Sequence, residues 1–399
     1  MVVVGGLLTA IGCQGDQLGP VANPELPLQV LNDTMELAQR VTDLPDVLLQ
    51  IMPPDTTAPF ESHMLARAPT TLELRLNSQV LPPQIEGVSL QASHIVVSNN
   101  IALVSYNLAG SDFRGGVDVF STGTRPRLRS QGLANGWDVS SVAATATKVF
   151  LASATSTPGF SSPAGLIEVG ISGRNLQVDQ VRVIDLPSFV STSAWTHNGE
   201  LFVTTGSSVD GGLFQLDVTD LSTTTLGNYL DARAVAVDDD YIVAMTGAPA
   251  TLYVYDRLSG TSATYAVGGA TVPDAKSGVA IADGHAFVAA GEAGLKIVRL
   301  VDGAVVFDVP MSTMTNLVDA DAQTNSVTVN QELVFVANGG AGLYVLRHSG
   351  LTTASPILER IGRVVFPGAS SANHVGSRRD NVFVATGNGG LQVVRIRNR

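Results

Sequence analysis

A hairpin-like unit recurs seven times along this chain and limits the fold more than any other feature. Each unit opens with a short apolar run whose residues can alternate between two buried faces of a strand. The seven runs are Ile101–Tyr106, Val149–Ser153, Leu201–Thr205, Tyr241–Met245, Ala286–Ala290, Leu333–Ala337 and Val382–Thr386. Successive runs lie roughly 40–52 residues apart, and this period is typical of four-stranded propeller blades.

The other parts of each unit also indicate a β-propeller. A second apolar run follows after a turn, and in six of the seven units it begins with glycine, as at Gly342 and Gly390. Glycine readily adopts the positive φ angles that a tight turn needs. Small residues such as Ser277–Ala282 precede each hairpin and suit a crowded inner strand, and a later run such as Ala304–Val309 supplies a fourth strand. The sequence predicts an all-β chain, with a seven-bladed β-propeller of four-stranded blades over residues 66–399.

The ring of blades needs one more strand to close. The seventh unit ends directly after its third strand, and residues 71–77 precede the first unit. In that segment Leu72, Leu74 and Leu76 alternate with polar residues, which is typical of a half-buried outer strand. We expect residues 71–77 to pair with Gly390–Arg397 and complete the last blade. Such pairing would cover the edges that an open stack of sheets leaves exposed.

Three hairpins share a strand that ends near alanine and a following Gly-Leu-x-Val-aliphatic strand, with Ile297 in place of the valine in the first: Phe287–Val298, Phe335–Leu346 and Phe383–Val394. This pattern resembles the LVIVD-repeat family of bacterial β-propeller proteins. The resemblance covers about residues 90–399, with a looser match in the first four units. The aspartate that often ends the family's second strand is kept only in places, at Asp217 and Asp256. Many members look like exported or surface lipoproteins without an assigned reaction, so the resemblance implies fold and location more than activity.

Residues 1–13 are small and apolar and end at Cys13, the single cysteine of the chain. They are typical of the apolar core of a secretory signal peptide, and Ala10–Cys13 resembles a bacterial lipobox. We therefore expect an exported protein that a lipid on Cys13 anchors to the cell envelope. Gln14 stands where aspartate would favour the inner membrane, which favours the outer membrane of a Gram-negative cell. A signal peptide begins with Lys or Arg, whereas the first basic residue here is Arg40, so either the true start lies upstream of Met1 or the resemblance is partly accidental. The alternative interpretations are an ordinary cleaved signal peptide and a buried cysteine.

Residues 14–65 do not match the repeat, and we predict a linker that contains a short helix. Asn32 or Asp33 suits the N-cap position of that helix. A loose apolar stripe follows, interrupted by Pro45. The alternative is a segment that packs on the propeller.

Charge and composition exclude several classes of partner. The net charge of −12 does not supply the cationic face that nucleic acid or an anionic membrane surface requires. Contact with a membrane is therefore expected only through the N-terminal lipid anchor. The chain has no CxxC pair and no apolar stretch of the roughly 18–20 residues that span a membrane. We expect no cofactor, with Ca²⁺ as a weak candidate, and a monomeric propeller that binds a protein partner or a small polar ligand.

Propellers usually bind ligands where the segments that join successive blades meet the loops between second and third strands. The candidate ligand-binding residues in those segments are His94, Asp138, Asp231, Arg233, Asp274, Asp319, Asp321 and His374. Clustered carboxylates suit a hard cation such as Ca²⁺, and each histidine could be a general base or a ligand. The alternative is that the carboxylates cap turns and the histidines make structural hydrogen bonds.

Two other features have functional and structural interpretations. The long loops of the first two units carry Phe113 and Phe160, which form a protein-binding patch unless the two loops pack on each other. Asp238–Asp240 resembles a catalytic cluster, but we predict that it lies in a turn on the opposite face. No Gly-x-Ser-x-Gly motif is present. The sequence favours a non-catalytic propeller of the cell envelope; the alternatives are a metal-dependent propeller hydrolase of the lactonase or esterase type and a propeller subunit of a redox enzyme.

Overall fold

Seven antiparallel sheets surround a common axis in the computed structural model of the protein. The structure describes residues 27–53, 72–98, 100–207, 209–247, 249–268, 277–311, 322–366 and 371–398. The strands of each sheet run in chain order from the axis to the rim, apart from the strands added before the first blade. The predicted seven-bladed β-propeller is therefore confirmed.

The elements follow the chain in a regular order. Before the first blade come β1 (Gln29–Leu31), α1 (Thr34–Ala38), β2 (Val41–Leu49), β3 (Leu72–Val80), β4 (Gln84–Ile85) and β5 (Val88–Ser89). Blade 1 contains β6 (Gln91–Ser98), β7 (Ile101–Asn107), β8 (Arg114–Ser121) and β9 (Arg127–Asn135). Blade 2 contains β10 (Trp137–Ala144), β11 (Lys148–Thr155), β12 (Ala164–Ser172) and β13 (Asn175–Asp185). Blade 3 contains β14 (Val190–His197), β15 (Glu200–Gly206), β16 (Gly211–Asp217) and β17 (Thr223–Asn228). Blade 4 contains β18 (Ala232–Val237), β19 (Tyr241–Gly247), β20 (Ala250–Asp256) and β21 (Ser262–Ala266).

The last three blades have the same design. Blade 5 contains β22 (Gly278–Ala282), β23 (His285–Ala289), β24 (Leu295–Arg299) and β25 (Val305–Val309). Blade 6 contains β26 (Ser326–Asn330), β27 (Leu333–Ala337), β28 (Leu343–Ser349) and β29 (Ile357–Val364). Blade 7 contains β30 (His374–Arg378), β31 (Asn381–Ala385) and β32 (Leu391–Asn398), and β3 completes it.

The hydrophobic core lies between neighbouring blades. The second strand of five blades carries a fully buried phenylalanine: Phe150, Phe202, Phe287, Phe335 and Phe383. Clusters join adjacent blades, and Phe287 of blade 5 packs in one cluster with Val334 and Leu346 of blade 6. Because both faces of these strands are covered, their sequences read as continuous apolar runs.

The predicted closing strand is present as β3. It pairs antiparallel with β32, with Leu72 opposite Asn398 and Leu76 opposite Val394. The side chains of Leu74 and Leu76 are buried, as the alternation predicted. The pairing register shifts between Leu76 and Ser78, and beyond this shift the strand continues to Val80. The last blade therefore joins residues from both ends of the propeller sequence.

Residues 27–53, which we call the belt, lie on the outside of the ring. In the belt, β1 extends blade 1 by pairing with β9, and β2 extends blade 7 by pairing with β3. Met52 forms an antiparallel bridge with Arg363 of blade 6. The Asn32 amide donates a 3.2 Å hydrogen bond to the Leu176 carbonyl of blade 2. This part of the segment assigned to a linker therefore contacts four consecutive blades, which corresponds to the packed alternative.

The belt contains a short helix and a bulged strand. Asp33 caps α1, and its carboxylate accepts a 2.8 Å hydrogen bond from the Met35 N–H. The helix has only five residues, and the apolar stripe after it belongs to β2. The register of β2 shifts between Asp43 and Val47, which accommodates Pro45 because proline cannot donate a ladder hydrogen bond. Within the described ranges, no helix is long and apolar enough to cross a membrane.

A buried ion pair attaches the belt to blade 1. Arg40 donates bidentate hydrogen bonds of 3.0 and 2.6 Å to Asp118, whose side chain is fully buried in β8. The same guanidinium donates to the Leu81 carbonyl at 3.0 and 2.8 Å. Gln131 donates a further 3.3 Å hydrogen bond to the Asp118 carboxylate. The buried carboxylate therefore depends on a residue of the belt for its neutralising charge.

Candidate functional site

The inner strands of all seven blades enclose an axial channel of about 1130 Å³. Its wall combines hydroxyl side chains such as Ser140, Thr192 and Thr328 with aliphatic side chains such as Val235 and Val279. A cavity of this size can hold a small ligand or side chains inserted by a partner.

We call the contact between the inner strands of two neighbouring blades a seam. One type of hydrogen bond recurs at these seams. At one register position, a side chain accepts a hydrogen bond from a backbone N–H of the next blade. The donor–acceptor pairs are Val142 to His94, Ala194 to Ser141, Val235 to Ser193, Val375 to Ser326 and Ile95 to His374, at 3.2–3.4 Å. Ala234 and Gly278 occupy this position in the other two blades, and their side chains contain no acceptor. His94 and His374 therefore occupy the position that serine occupies at three other seams.

His94 and His374 lie side by side on the channel wall, with ring centroids 4.0 Å apart and an interplanar angle of 46°. Each accepts a backbone N–H at Nδ1, so Nδ1 must provide the lone pair and Nε2 carries the proton of the neutral ring. A metal-binding histidine instead gives its lone pair to the metal and donates its other N–H. In this arrangement both histidines have the structural role that the sequence analysis named as the alternative.

Asp138 also has a structural role, at the start of β10. Its carboxylate accepts the Arg114 N–H at 3.0 Å and the Leu108 N–H at 3.4 Å, which orders the loop between β7 and β8. Burial raises the pKa of Asp138 from 3.8 to about 6, although the two N–H donors oppose the shift. This carboxyl group therefore changes its charge in a mildly acidic range.

An Asp138→Asn variant should have a flatter stability profile between pH 4 and 7 than the unmodified chain. The pKa of Asp138 is higher in the folded state than in the unfolded state. Its contribution to the free energy of unfolding is therefore complete below about pH 4 and is lost as the pH rises through about 6. The shift of about two units, reduced for partial solvent exposure, corresponds to about 1 kcal/mol. Urea unfolding at several pH values would measure this difference, and parallel profiles for the two proteins would contradict it.

Asp231 and Arg233 form an ion pair at the channel mouth. The Arg233 guanidinium donates bidentate hydrogen bonds of 2.9 and 3.0 Å to the Asp231 carboxylate. Gly247 leaves room for this pair, because a Cβ atom there would overlap the guanidinium. Asp231 is thus neutralised by its neighbour, which makes it a poor ligand for a cation.

Three other predicted ligands, Asp274, Asp319 and Asp321, lie outside the described residues, as does Cys13. Within the described ranges, no group of three or more His, Cys, Asp or Glu side chains could hold a metal ion. A Ca²⁺ site, which the sequence offered only as a weak candidate beside the expectation of no cofactor, would depend on undescribed residues.

The channel opening carries an apolar cluster that the sequence analysis missed. Phe189, Val209 and Leu230 line the channel, and their exposed fractions are 57%, 78% and 61%. They come from the segments that lead into β14 and β18 and from the loop between β15 and β16. We call these three residues the apolar mouth. Searching the predicted loops for large apolar residues would have found them.

The two phenylalanines that the sequence analysis considered have a different environment. Phe160 packs edge-to-face on Trp137, with ring centroids 5.1 Å apart. Phe113 is partly buried, and its carbonyl accepts a 2.8 Å hydrogen bond from Gly136. These contacts hold both loops against residues 136–137 at the start of β10. The cluster Asp238–Asp240 lies in the turn between β18 and β19, as predicted.

Comparisons with known proteins identify the fold. No protein-family model and no curated protein matches the sequence. Among solved structures, the chain is similar to the WD40 propeller domain of Doa1, with TM-score 0.50 and 10% identity over 79% of this chain and 96% of that one. It is similar to U3-55K, with TM-score 0.56 and 9% identity over 79% and 97% of the two chains. It is also similar to an inactive variant of virginiamycin B lyase from Staphylococcus aureus with quinupristin, with TM-score 0.56 and 11% identity over 81% and 99%. At these identities the likeness shows the β-propeller fold alone.

Proposed function

We propose that this chain is a non-catalytic binding propeller that takes a segment of a partner protein at its apolar mouth. The observation that carries the proposal is the convergence of Phe189, Val209 and Leu230 at the opening of the channel. Large apolar side chains exposed together at a concave site are typical of a surface that a partner covers. Each square ångström of apolar surface removed from water there contributes about 25 cal/mol.

Charge at the mouth favours a basic segment. Asp210 lies next to Val209, and its carboxylate accepts hydrogen bonds from Ser188 at 2.6 Å and from Ser207 at 2.5 Å. These bonds lower the pKa of Asp210, so its negative charge persists well into the acidic range. The whole chain has a net charge of −12. An apolar anchor flanked by lysine or arginine would therefore complement the mouth better than a small polar ligand would.

The hydrolase and redox alternatives receive less support from the described residues. His94 and His374 give their Nδ1 lone pairs to backbone N–H groups, and Asp231 is paired with Arg233. Asp138 accepts two backbone N–H groups. A general base or a metal ligand would need its lone pairs directed at the substrate or the metal.

Peptides selected from a random phage-displayed library on the full chain would test the proposal. We expect an apolar anchor with basic flanks and a loss of affinity of about tenfold or more for Leu230→Ser, measured by fluorescence polarisation. Leu258→Ser is the matched control, because Leu258 is 92% exposed but lies in the turn between β20 and β21 at the opposite end. Equal losses in both variants, or selected peptides that bind elsewhere, would reject the mouth as the binding site.

We also propose that the propeller acts in the cell envelope, held by a lipid on Cys13. The residues before Cys13 and the resemblance to exported propellers support this location. Membrane partitioning of a Cys13→Ser variant tests it, and unchanged partitioning would contradict it.

A further inference from the structure

The side chain that accepts the seam hydrogen bond is not of the same type at every seam. Serine accepts the backbone N–H at three seams, and histidine accepts it at two neighbouring seams. His374 belongs to blade 7 and bonds Ile95 of blade 1, while His94 belongs to blade 1 and bonds Val142 of blade 2. Both histidine seams flank blade 1, which adjoins blade 7, where β3 closes the ring.

Histidine and serine respond differently to acid at this position. A serine hydroxyl keeps its acceptor lone pairs throughout the physiological pH range, whereas imidazole gains a proton near pH 6–7 in an unperturbed setting. Protonation at Nδ1 converts the acceptor into a donor that faces another donor. Rotating the imidazole ring by 180° about the Cβ–Cγ bond places the carbon atom Cδ2 in the position of Nδ1, so the rotation restores no hydrogen-bond acceptor. Each protonation therefore removes one seam hydrogen bond and leaves a backbone N–H of the next blade without its acceptor.

The two rings also act on each other. Their centroids are 4.0 Å apart, so two imidazolium charges would repel at close range in a partly buried wall. Separation of blade 7 from blade 1 would relieve the repulsion and the mismatch of donors between His374 and Ile95, and separation of blade 1 from blade 2 would relieve the mismatch between His94 and Val142.

We propose that His94 and His374 form a pH-sensitive latch that loosens both seams of blade 1 on acidification, while the serine seams stay closed. This inference is independent of the proposed binding function. It gives the propeller a conformational response localised to blade 1, which adjoins the blade where the first and last parts of the ring meet.

Other titratable or charged groups lie on the strands packed against the pair. They are Tyr106 on β7, Asp138 on β10 and Arg378 on β30; β26, β27 and β31 carry none among their described residues. Tyr106 is a neutral phenol in mild acid, and Arg378 lies four residues from His374 at the other end of β30. Burial raises the pKa of Asp138 to about 6, within the pH interval of the experiment, so the experiment uses Asp138→Asn as a common background.

Amide hydrogen exchange followed by mass spectrometry tests the latch in the full-length chain. After correction for intrinsic rates, lowering the pH from 7.0 to 5.0 should accelerate exchange in peptides containing Ile95 and Val142 by about tenfold or more. Peptides containing Ala194, Val235 and Val375 are the internal control, because their amides bond serine. A uniform acceleration at all five amides, or none at Ile95 and Val142, would overturn the proposal.

A double variant in which neither seam residue can titrate distinguishes the effect of protonation from a structural effect of the two side chains. His94→Asn with His374→Asn keeps an oxygen acceptor near the position of Nδ1 but cannot titrate, so acid should no longer accelerate exchange selectively. If the asparagine pair folds poorly, His94→Ser with His374→Ser reproduces the side chain of the other seams. Selective acceleration that persists in either non-titrating pair would overturn the proposal, and its loss supports the latch.

Discussion

Replacing Arg40 with alanine should lower the free energy of unfolding by about 3–5 kcal/mol. The substitution removes the bidentate partner of the fully buried Asp118 carboxylate. Gln131 donates only one neutral hydrogen bond to this carboxylate, at 3.3 Å, and does not neutralise its charge. A buried charge without a partner costs far more than the same charge in water. Urea unfolding followed by circular dichroism at neutral pH measures the loss.

Two further variants separate the buried charge from simple loss of a side chain. Arg127→Ala breaks the exposed ion pair with Asp43 and should cost less than about 1 kcal/mol. Combining Arg40→Ala with Asp118→Asn removes both charges, so we expect the double variant to be more stable than Arg40→Ala alone. Equal stability of the single and double variants would show that the buried charge is not the cause.

A chain that starts at residue 54 should lose at least about 5 kcal/mol relative to one that starts at residue 27. This deletion removes the belt with the buried side chains of Leu28, Leu37 and Leu49, each contributing about 1.5–3 kcal/mol. It also exposes the outer edges of β3 and β9 and leaves Asp118 without Arg40. Because a domain of ordinary stability has only about 5–15 kcal/mol in total, the shortened ring should be at most marginally folded.

Adding the belt back as a separate peptide tests this prediction without changing the propeller. A synthetic peptide of residues 27–53 should raise the melting temperature of the shortened chain in a concentration-dependent way, because it binds the folded ring. The same peptide with Arg40→Ala should be much less effective. An unchanged melting temperature after deletion would show that the belt does not contribute to stability.

The sequence identified the blades because each strand is buried on both faces and repeats with one period. The closing strand was equally visible, because Leu72, Leu74 and Leu76 alternate with polar residues. The belt was not visible in the sequence, because its pattern is not repeated elsewhere and Pro45 interrupts both helical and strand patterns. Its role depends on contacts such as Arg40 with Asp118, which lie far apart in the chain and have no local signature.

The candidate site was predictable in position but not in chemistry. The sequence placed five residues near the channel; His94, His374, Asp231 and Arg233 line it, whereas Asp138 lies outside its lining at the start of β10. Whether a carboxylate meets a guanidinium or a backbone N–H depends on strand bulges, such as the register shift after Ala232. Aligning the inner strands would have placed both histidines in the serine position.

The belt also constrains how the protein is made. Asp46 in the belt forms a 3.1 Å ion pair with Arg397, 351 positions later in the chain. Closing a loop of that length costs about 5 kcal/mol of chain entropy before its contacts form. During vectorial synthesis, the belt and β3 leave the ribosome before the blades and wait for β32, which is made after the other strands of the ring. High contact order of this kind predicts slow folding with a late, all-or-none ring closure, and it makes the unpaired early strands the segment most exposed to wrong partners.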